Sequence, residues 1–362
     1  MTEQPTRYSK KAFAPYGTWT SIITSELIVS DSISIDEPRL SQNSVFYIER
    51  RPQEAGRCVI VEVSHGIARD ILPAPFSARS RVHEYGGGSY CIDRGLVFFC
   101  NDSDQDIYSI CNDQIKRITS AEGCRFADFV YDRKHHRLIA ICETHNKSSV
   151  TNTIVSIDVH SGEISTLVQG ADFYASPRLN SSSTQLCWQA WDHPNLPWDG
   201  NQLWLADIAL SGKVVNEKLI AGADNVSVFQ PQWSPDDTLY FVSDETGWWH
   251  IYRYQQDKLS GSNERLTDGE KEFGLPQWVF AQSTYAFIDS EQIICSYQAQ
   301  GESFLARLSL SGQPSLMPMH TKWQEYSNVT AGDNKICFVA ASSHSFPQLV
   351  VAALNQDEPN SL

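Results

Sequence analysis

The chain has 362 residues, enough for one large domain or two ordinary ones, with hydrophobic and charged fractions usual for a globular protein. Its formal net charge of −15 argues against a nucleic-acid partner, because a phosphate backbone requires clustered Lys and Arg. No apolar run approaches the roughly 20 residues that span a bilayer, and "MTEQPTRYSKKAFAPYG" has no apolar stretch behind its lysines, so neither a membrane partner nor a secretory signal is expected.

In chain order, short alternating apolar runs separated by Gly, Pro, Asp and Asn turns take the place of helical periodicity. One run recurs as "VFYIE" at Val45, "LVFFCND" at Leu96, "LIAICE" at Leu138, "LCWQAWD" at Leu186, "LYFVSD" at Leu239, "YAFID" at Tyr285 and "ICFVAAS" at Ile336. A second follows each: "CVIVEV", "DIYSI", "TIVSIDV", "QLWLADI", "HIYRY", "SFLARL" and "QLVVAAL". Turn-flanked segments precede them ("EPRL", "GGGSYCI", "FADFV", "SPRL", "QPQW", "LPQW", "YSNVT"), and short strand-like pieces follow all but the last. Four strands, A to D, in seven units predict an all-β fold, a seven-bladed β-propeller of four-stranded antiparallel blades.

After "QLVVAAL" only the polar "NQDEPNSL" remains, so the seventh unit lacks strand D. Glu26–Ser30 has the spacing of an outer strand before "SISIDEPRL" and is expected to close the ring by shielding a bare sheet edge. The expected layout is an N-terminal extension over 1–24, a propeller over 25–354 and a polar tail over 355–362.

The nine cysteines are scattered without CxxC spacing, mostly inside apolar runs. They read as reduced, structural thiols of a cytoplasmic protein. "DSDQD" at Asp102 imitates a calcium loop, but Ile107 and Asp113 occupy the positions where such a loop has Gly and Glu, so a solvated hairpin is expected. His135 and His136 are neighbours on a turn and are expected at the surface. No cofactor is implied.

Three stretches stand out: "RVHEYGGG" entering blade 2, "WDHPNLPWDG" between strands B and C of blade 4, and "SDETGWWH" between strands B and C of blade 5. In antiparallel blades these connections all emerge on one face, where function usually sits on a rigid scaffold. The candidate contact residues are Arg81, His83, Glu84, Tyr85, Trp191, Asp192, His193, Trp198, Trp248 and Trp249. They would meet a substrate, a neighbouring domain or only their own loops. The triple glycine runs into a β segment with no lysine behind it, so close backbone approach is expected in place of phosphate binding. The chain has no GxSxG nucleophile elbow, so no catalytic residue is assigned and inactivity alone is expected.

"RSRVHEYGGGSY", "WDHPNLPWDGNQLWLADI" and "QPQWSPDDTLYFVSDETGWWHIYRY" resemble the N-terminal propeller of S9-family serine peptidases of the prolyl oligopeptidase clan, in the acylaminoacyl-peptidase or dipeptidyl-aminopeptidase-like branch. The resemblance extends over nearly the whole chain. It implies a propeller that caps an α/β-hydrolase domain, absent from this sequence, and admits short peptides. Asp237 stands where such turns usually carry Gly, and His250 where Asn is common; both read as surface-turn changes. The resemblance therefore implies a non-catalytic gating and docking domain, paired with a hydrolase domain in cis or in trans. The alternative is a free-standing propeller that binds peptides or proteins.

Overall fold

The computed structural model describes residues 13–30, 32–256 and 261–354; the expected polar tail at 355–362 lies outside the described residues. Seven antiparallel sheets follow one another along the chain, spanning 34–70, 90–117, 124–168, 173–222, 228–265, 285–318 and 325–353. Six have four strands in sequential order and the last has three. The first strands of successive blades lie against one another around the ring. Between blades 5 and 6 the side chain of Gln230 ties the two first strands, accepting from the Thr284 amide at 2.7 Å and donating to the Tyr285 carbonyl at 2.7 Å. Strand A is therefore the inner strand and strand D the outer one.

The alternating pattern is interrupted in strand B, where both faces are apolar. Leu138 to Cys142 are all buried, because each blade is covered by a neighbour on both sides. The hydrophobic clusters accordingly straddle blade pairs: Phe98 and Ile107 of blade 2 pack with Phe126 and Leu138 of blade 3, and Ile294 of blade 6 with Val329 and Phe338 of blade 7. Each such side chain contributes about 1.5–3 kcal/mol when fully buried.

Near its start, strand A breaks register in several blades. Glu37, Asp128, Ser176, Gln230 and Asn328 have left-handed backbone (φ 48–54°), and Gly88 takes the same place in blade 2. This bulge bends the inner strand at the narrow centre of the ring.

Two expectations are corrected. Glu26–Ser30 is not strand D of blade 7 but part of a short helix, Ser25–Ser30. Thr24 starts it: its Oγ1 accepts from the Leu27 amide at 3.1 Å and its carbonyl from the Ile28 amide at 3.1 Å. Such a cap satisfies donors that an outer strand would leave to its sheet neighbour. The Ser30 carbonyl then accepts from Gln53 Nε2 of blade 1 at 2.7 Å. Among the described residues no strand pairs with the outer edge of Ser345–Ala353. Blades 7 and 1 meet through side chains, with Leu349 packed on the blade 1 core and the Asn43 amide donating to Asp333 at 3.2 Å.

In blade 6, "YAFID" is strand A (Tyr285–Phe287), and strand B is Gln292–Ala299. "LPQW", which copies the "QPQW" of blade 5, lies in the connection between the blades. Its identity with a true strand is local: Gly274 and Pro276 break the pairing, and the chain crosses the face of the ring before it enters the blade. Among the described residues no helix is long and apolar enough to cross a membrane.

Candidate functional site

The loop entering blade 2 meets three different parts of the ring through its glycines. A Cβ on Gly86 would lie 2.1 Å from the Ser80 carbonyl oxygen, one on Gly87 2.5 Å from that of Phe280, and one on Gly88 2.8 Å from Asp128 Cα. All three have positive φ. Two backbone bonds run across these approaches: the Phe280 amide donates to Gly86 O at 2.9 Å and the Asp128 amide to Gly88 O at 2.8 Å. The run therefore joins blade 2 to its own loop, to the blade 6 entrance across the ring, and to blade 3.

The same contacts gather an aromatic cluster. The His83 ring lies 5.1 Å from Phe173, 5.8 Å from Trp191 and 5.0 Å from Phe280. Phe173 stacks on Trp191 at 5.5 Å and touches His193 at 4.9 Å. Trp278 bridges Tyr85 at 5.4 Å and Trp198 at 4.6 Å. These residues line a cavity of about 190 Å³. Burial pushes the His83 imidazole down to about 4, against the opposing pull of Glu143, so it is neutral at neutral pH.

A polar frame holds the loop from behind. The buried carboxylate of Glu143 accepts from the His83 amide at 2.7 Å and Arg125 Nη1 at 3.3 Å, and it contacts His145 Nε2. Arg125 also donates to Glu84 at 2.7 Å and to the Arg81 carbonyl at 2.9 Å. Arg81 pairs with Asp102 at 2.9 Å. Asp192 accepts the Asp172 amide at 2.7 Å, while Asp172 accepts the His193 amide at 2.9 Å and contacts His193 Nδ1 at 3.1 Å. Those bonds to His193 hold the Asp172 carboxyl below its usual range.

Of the residues singled out in the sequence, the structure thus brings His83, Tyr85, Trp191, His193 and Trp198 to one cavity. Arg81, Glu84 and Asp192 belong to the frame around it. Trp248 and Trp249 lie elsewhere: Trp249 packs against Gly274 and Phe229, and Trp248 is 37% exposed. Sequence reasoning missed Phe173, Gln277, Trp278 and Phe280. Gln277 and Trp278 sit in the segment misread as strand A and Phe280 two residues beyond it, where the Gly274 and Pro276 punctuation was the available signal.

The carboxylates of the calcium-like run are engaged by neighbouring side chains, with Asp106 alone buried. Asp102 binds Arg81, Asp104 accepts from Tyr108 Oη at 2.6 Å, and Asp106 binds Arg117 and accepts from Thr119 Oγ1 at 2.6 Å. His135 Nδ1 contacts Asp132 at 2.7 Å. Asp237 has positive φ and accepts the Ser181 amide of blade 4 at 2.7 Å, so its carboxylate links two turns. His250 is not a surface-turn residue: it is buried at the start of a strand, with Nδ1 3.1 Å from Thr267 Oγ1. The turn ends one residue before His250, where the repeated run "HIYRY" begins the strand His250–Gln255.

No family model matches the chain, and no curated protein does. Solved structures do. A puromycin-hydrolyzing peptidase from Mycobacterium tuberculosis superposes with a TM-score of 0.86 at 26% identity, covering 96% of this chain and 56% of its own. A puromycin hydrolase gives 0.85 at 27% identity, covering 94% and 55%. The chain thus spans little more than half the length of these peptidases. An oligogalacturonate lyase from Vibrio parahaemolyticus, at 13% identity and a TM-score of 0.64, shares the fold alone. The neighbours at 26–27% identity are S9-family peptidases, and this chain is a seven-bladed propeller similar to the propeller part of those structures.

Proposed function

We propose that the chain is the non-catalytic docking and substrate-gating propeller of an S9-type serine peptidase, working with an α/β-hydrolase domain in cis or in trans on short peptides. The observation that carries this reading is the uneven coverage: the likeness runs over 94–96% of this chain but only 55–56% of the peptidases. The remainder of those chains corresponds to a hydrolase domain beside the propeller.

Surface chemistry supports it. Phe13, Tyr16, Trp19, Ile22, Ile23, Leu27 and Ile28 are all more than half exposed within one short stretch. The helix that ends this stretch rests on the 3₁₀ turn Pro52–Glu54, between strands B and C of blade 1. That is the ring face that carries the aromatic cavity. Contiguous apolar exposure of this kind suits a protein interface.

The test is to read the coding sequence beyond codon 362 and next to it for an α/β-hydrolase with a GxSxG elbow, then to measure peptidase activity of that domain with and without this chain. Restored or redirected cleavage of short peptides, and loss of binding on Trp19→Ser with Ile23→Ser, is the expected outcome. Absence of such a domain, or activity indifferent to the propeller, overturns the reading. The second reading, a free-standing peptide-binding propeller, is favoured by one feature: the aromatic cavity is lined by residues of this chain's own loops.

A further inference from the structure

Two cysteines meet on blade 3 behind the loop that enters blade 2. Cys124 opens the inner strand Cys124–Asp132, and Cys142 lies near the end of strand B, Arg137–His145. These strands pair antiparallel, with Cys124 opposite Thr144 and Phe126 opposite Cys142. Residues two apart on a strand share a face, so Cys124, Thr144 and Cys142 stand together. Thr144 Oγ1 lies 3.8 Å from both sulfurs, and the two thiol groups are hydrogen-bonded to each other.

The two thiols differ in character. Cys142 is buried, whereas Cys124 is partly exposed and within reach of a small oxidant. The Cys142 thiol donates to the Cys124 sulfur, which holds the Cys124 thiol down to about 6 against the opposing effect of burial and leaves Cys142 protonated. Cys100, Cys187, Cys295 and Cys337 are buried with their thiols pushed up by desolvation, so they are weak nucleophiles. Each cysteine of the pair also precedes a residue of the frame behind the loop. Glu143 accepts the His83 amide at 2.7 Å, and Arg125 donates to Glu84 at 2.7 Å and to the Arg81 carbonyl at 2.9 Å.

We propose that Cys124 and Cys142 form a reversible disulfide in response to a peroxide, and that its closure loosens the hold of Arg125 and Glu143 on the loop Arg81–Glu84. The Cys124 thiolate attacks the O–O bond of hydrogen peroxide, which gives a sulfenic acid and releases hydroxide. The Cys142 sulfur then displaces the sulfenic hydroxyl, and its proton leaves with that group and the hydroxide as water. Two thiols and one hydrogen peroxide thus give one disulfide and two waters; the sulfurs lose two electrons and the peroxide gains them. A dithiol restores the pair by exchange through a mixed disulfide. Diagonal neighbours in a ladder have Cα atoms about 7–8 Å apart and a disulfide spans about 4.4–6.8 Å, so closure draws one strand inward by about an ångström. Cys124 is the residue that moves. It begins its strand after the turn at Gly123, whereas Cys142 is paired on both sides, with Phe126 and Thr153. Arg125 moves with Cys124, away from Glu84 and the Arg81 carbonyl. The inference does not depend on the peptidase reading.

The test uses the full chain carrying Cys111→Ser, which removes an exposed thiol able to join two molecules. The protein is treated with hydrogen peroxide at neutral pH, its free thiols are blocked, and unreduced peptides are mapped by mass. One Cys124–Cys142 link is expected, two hydrogens lighter than the reduced pair and removed by dithiothreitol. Amide hydrogen exchange at His83 should become faster by about tenfold or more on oxidation, the worth of a hydrogen bond to a charged group, and return with dithiothreitol. Cys142→Ser in the same background should leave Cys124 oxidised without a link and His83 exchange unchanged. Links through other cysteines, oxidation of Cys124 to sulfinic acid without a link while Cys142 is present, or a link that leaves His83 exchange unchanged overturns the proposal.

Discussion

Gly87→Ala tests the claim that the triple glycine joins blades across the ring. The new methyl would fall 2.5 Å from the Phe280 carbonyl oxygen and 2.8 Å from its amide nitrogen. Both are backbone atoms, so no side chain can rotate away, and one segment must retreat by most of an ångström. Three costs add. Left-handed backbone (φ +85°) costs an L-residue about 1–2 kcal/mol. Loss of the Phe280–Gly86 hydrogen bond costs about 1 kcal/mol. Loosening Phe280, now 4% exposed, adds a fraction of its burial energy, about 1 kcal/mol. The sum is about 3–4 kcal/mol. At about 2.1 cal/mol/K per residue over 362 residues, the unfolding entropy is roughly 0.8 kcal/mol/K, so the melting temperature should fall by about 4–5 °C. Gly301→Ala is the matched control: φ is +81° but nothing lies within 4 Å of the added Cβ, so only the conformational cost of about 1–2 kcal/mol remains. Thermal unfolding followed by circular dichroism compares the two. If Gly87→Ala melts like Gly301→Ala, the close approach is not what the glycine is for.

Other expectations concern buried carboxyls. Burial pushes Glu37, on the inner strand of blade 1, from 4.5 up to about 7, while Arg39 opposes the shift. The folded state therefore favours the protonated form; its advantage is full below about pH 4.5 and disappears as pH rises to about 7, a loss of up to about 3 kcal/mol. Glu37→Gln mimics the protonated acid, so its melting temperature relative to the unaltered protein should climb by a few degrees between about pH 5 and pH 8; a difference that stays constant with pH refutes this. Asp106→Ala removes the acceptor for Thr119, the Ala121 amide and Arg117 and should cost about 2–4 kcal/mol in thermal unfolding. Millimolar calcium should leave the melting temperature of the unaltered chain where it is, because these carboxylates are already engaged within the protein; a calcium-dependent rise would show that the run takes the ion after all.

The repeat of two apolar runs, the turn residues between them and the absence of 3.6-residue periodicity determined the all-β class and the count of seven blades without coordinates. These are local patterns, and every strand B carries its burial on both faces in its own residues. The same pattern placed the loops of blades 2 and 4 on one face, because chain reversal at each turn leaves no choice. What failed was decided by non-local partners. "LPQW" copies a strand, yet the Gly86 carbonyl and the Trp249 ring, both remote in sequence, draw its surroundings into a crossing loop. Glu26–Ser30 has strand-like spacing, but the Thr24 cap and the Gln53 contact on blade 1 make it a helix. His250 reads as a turn residue until Thr267 and its neighbours bury it. The cavity itself belongs wholly to the tertiary structure: its walls come from blades 2, 4 and 6, and only closure of the ring brings His83 against Phe173 and Trp278 against Trp198. Periodicity along a chain encodes which face a residue turns toward, whereas the partner it meets there depends on contacts between segments far apart in sequence.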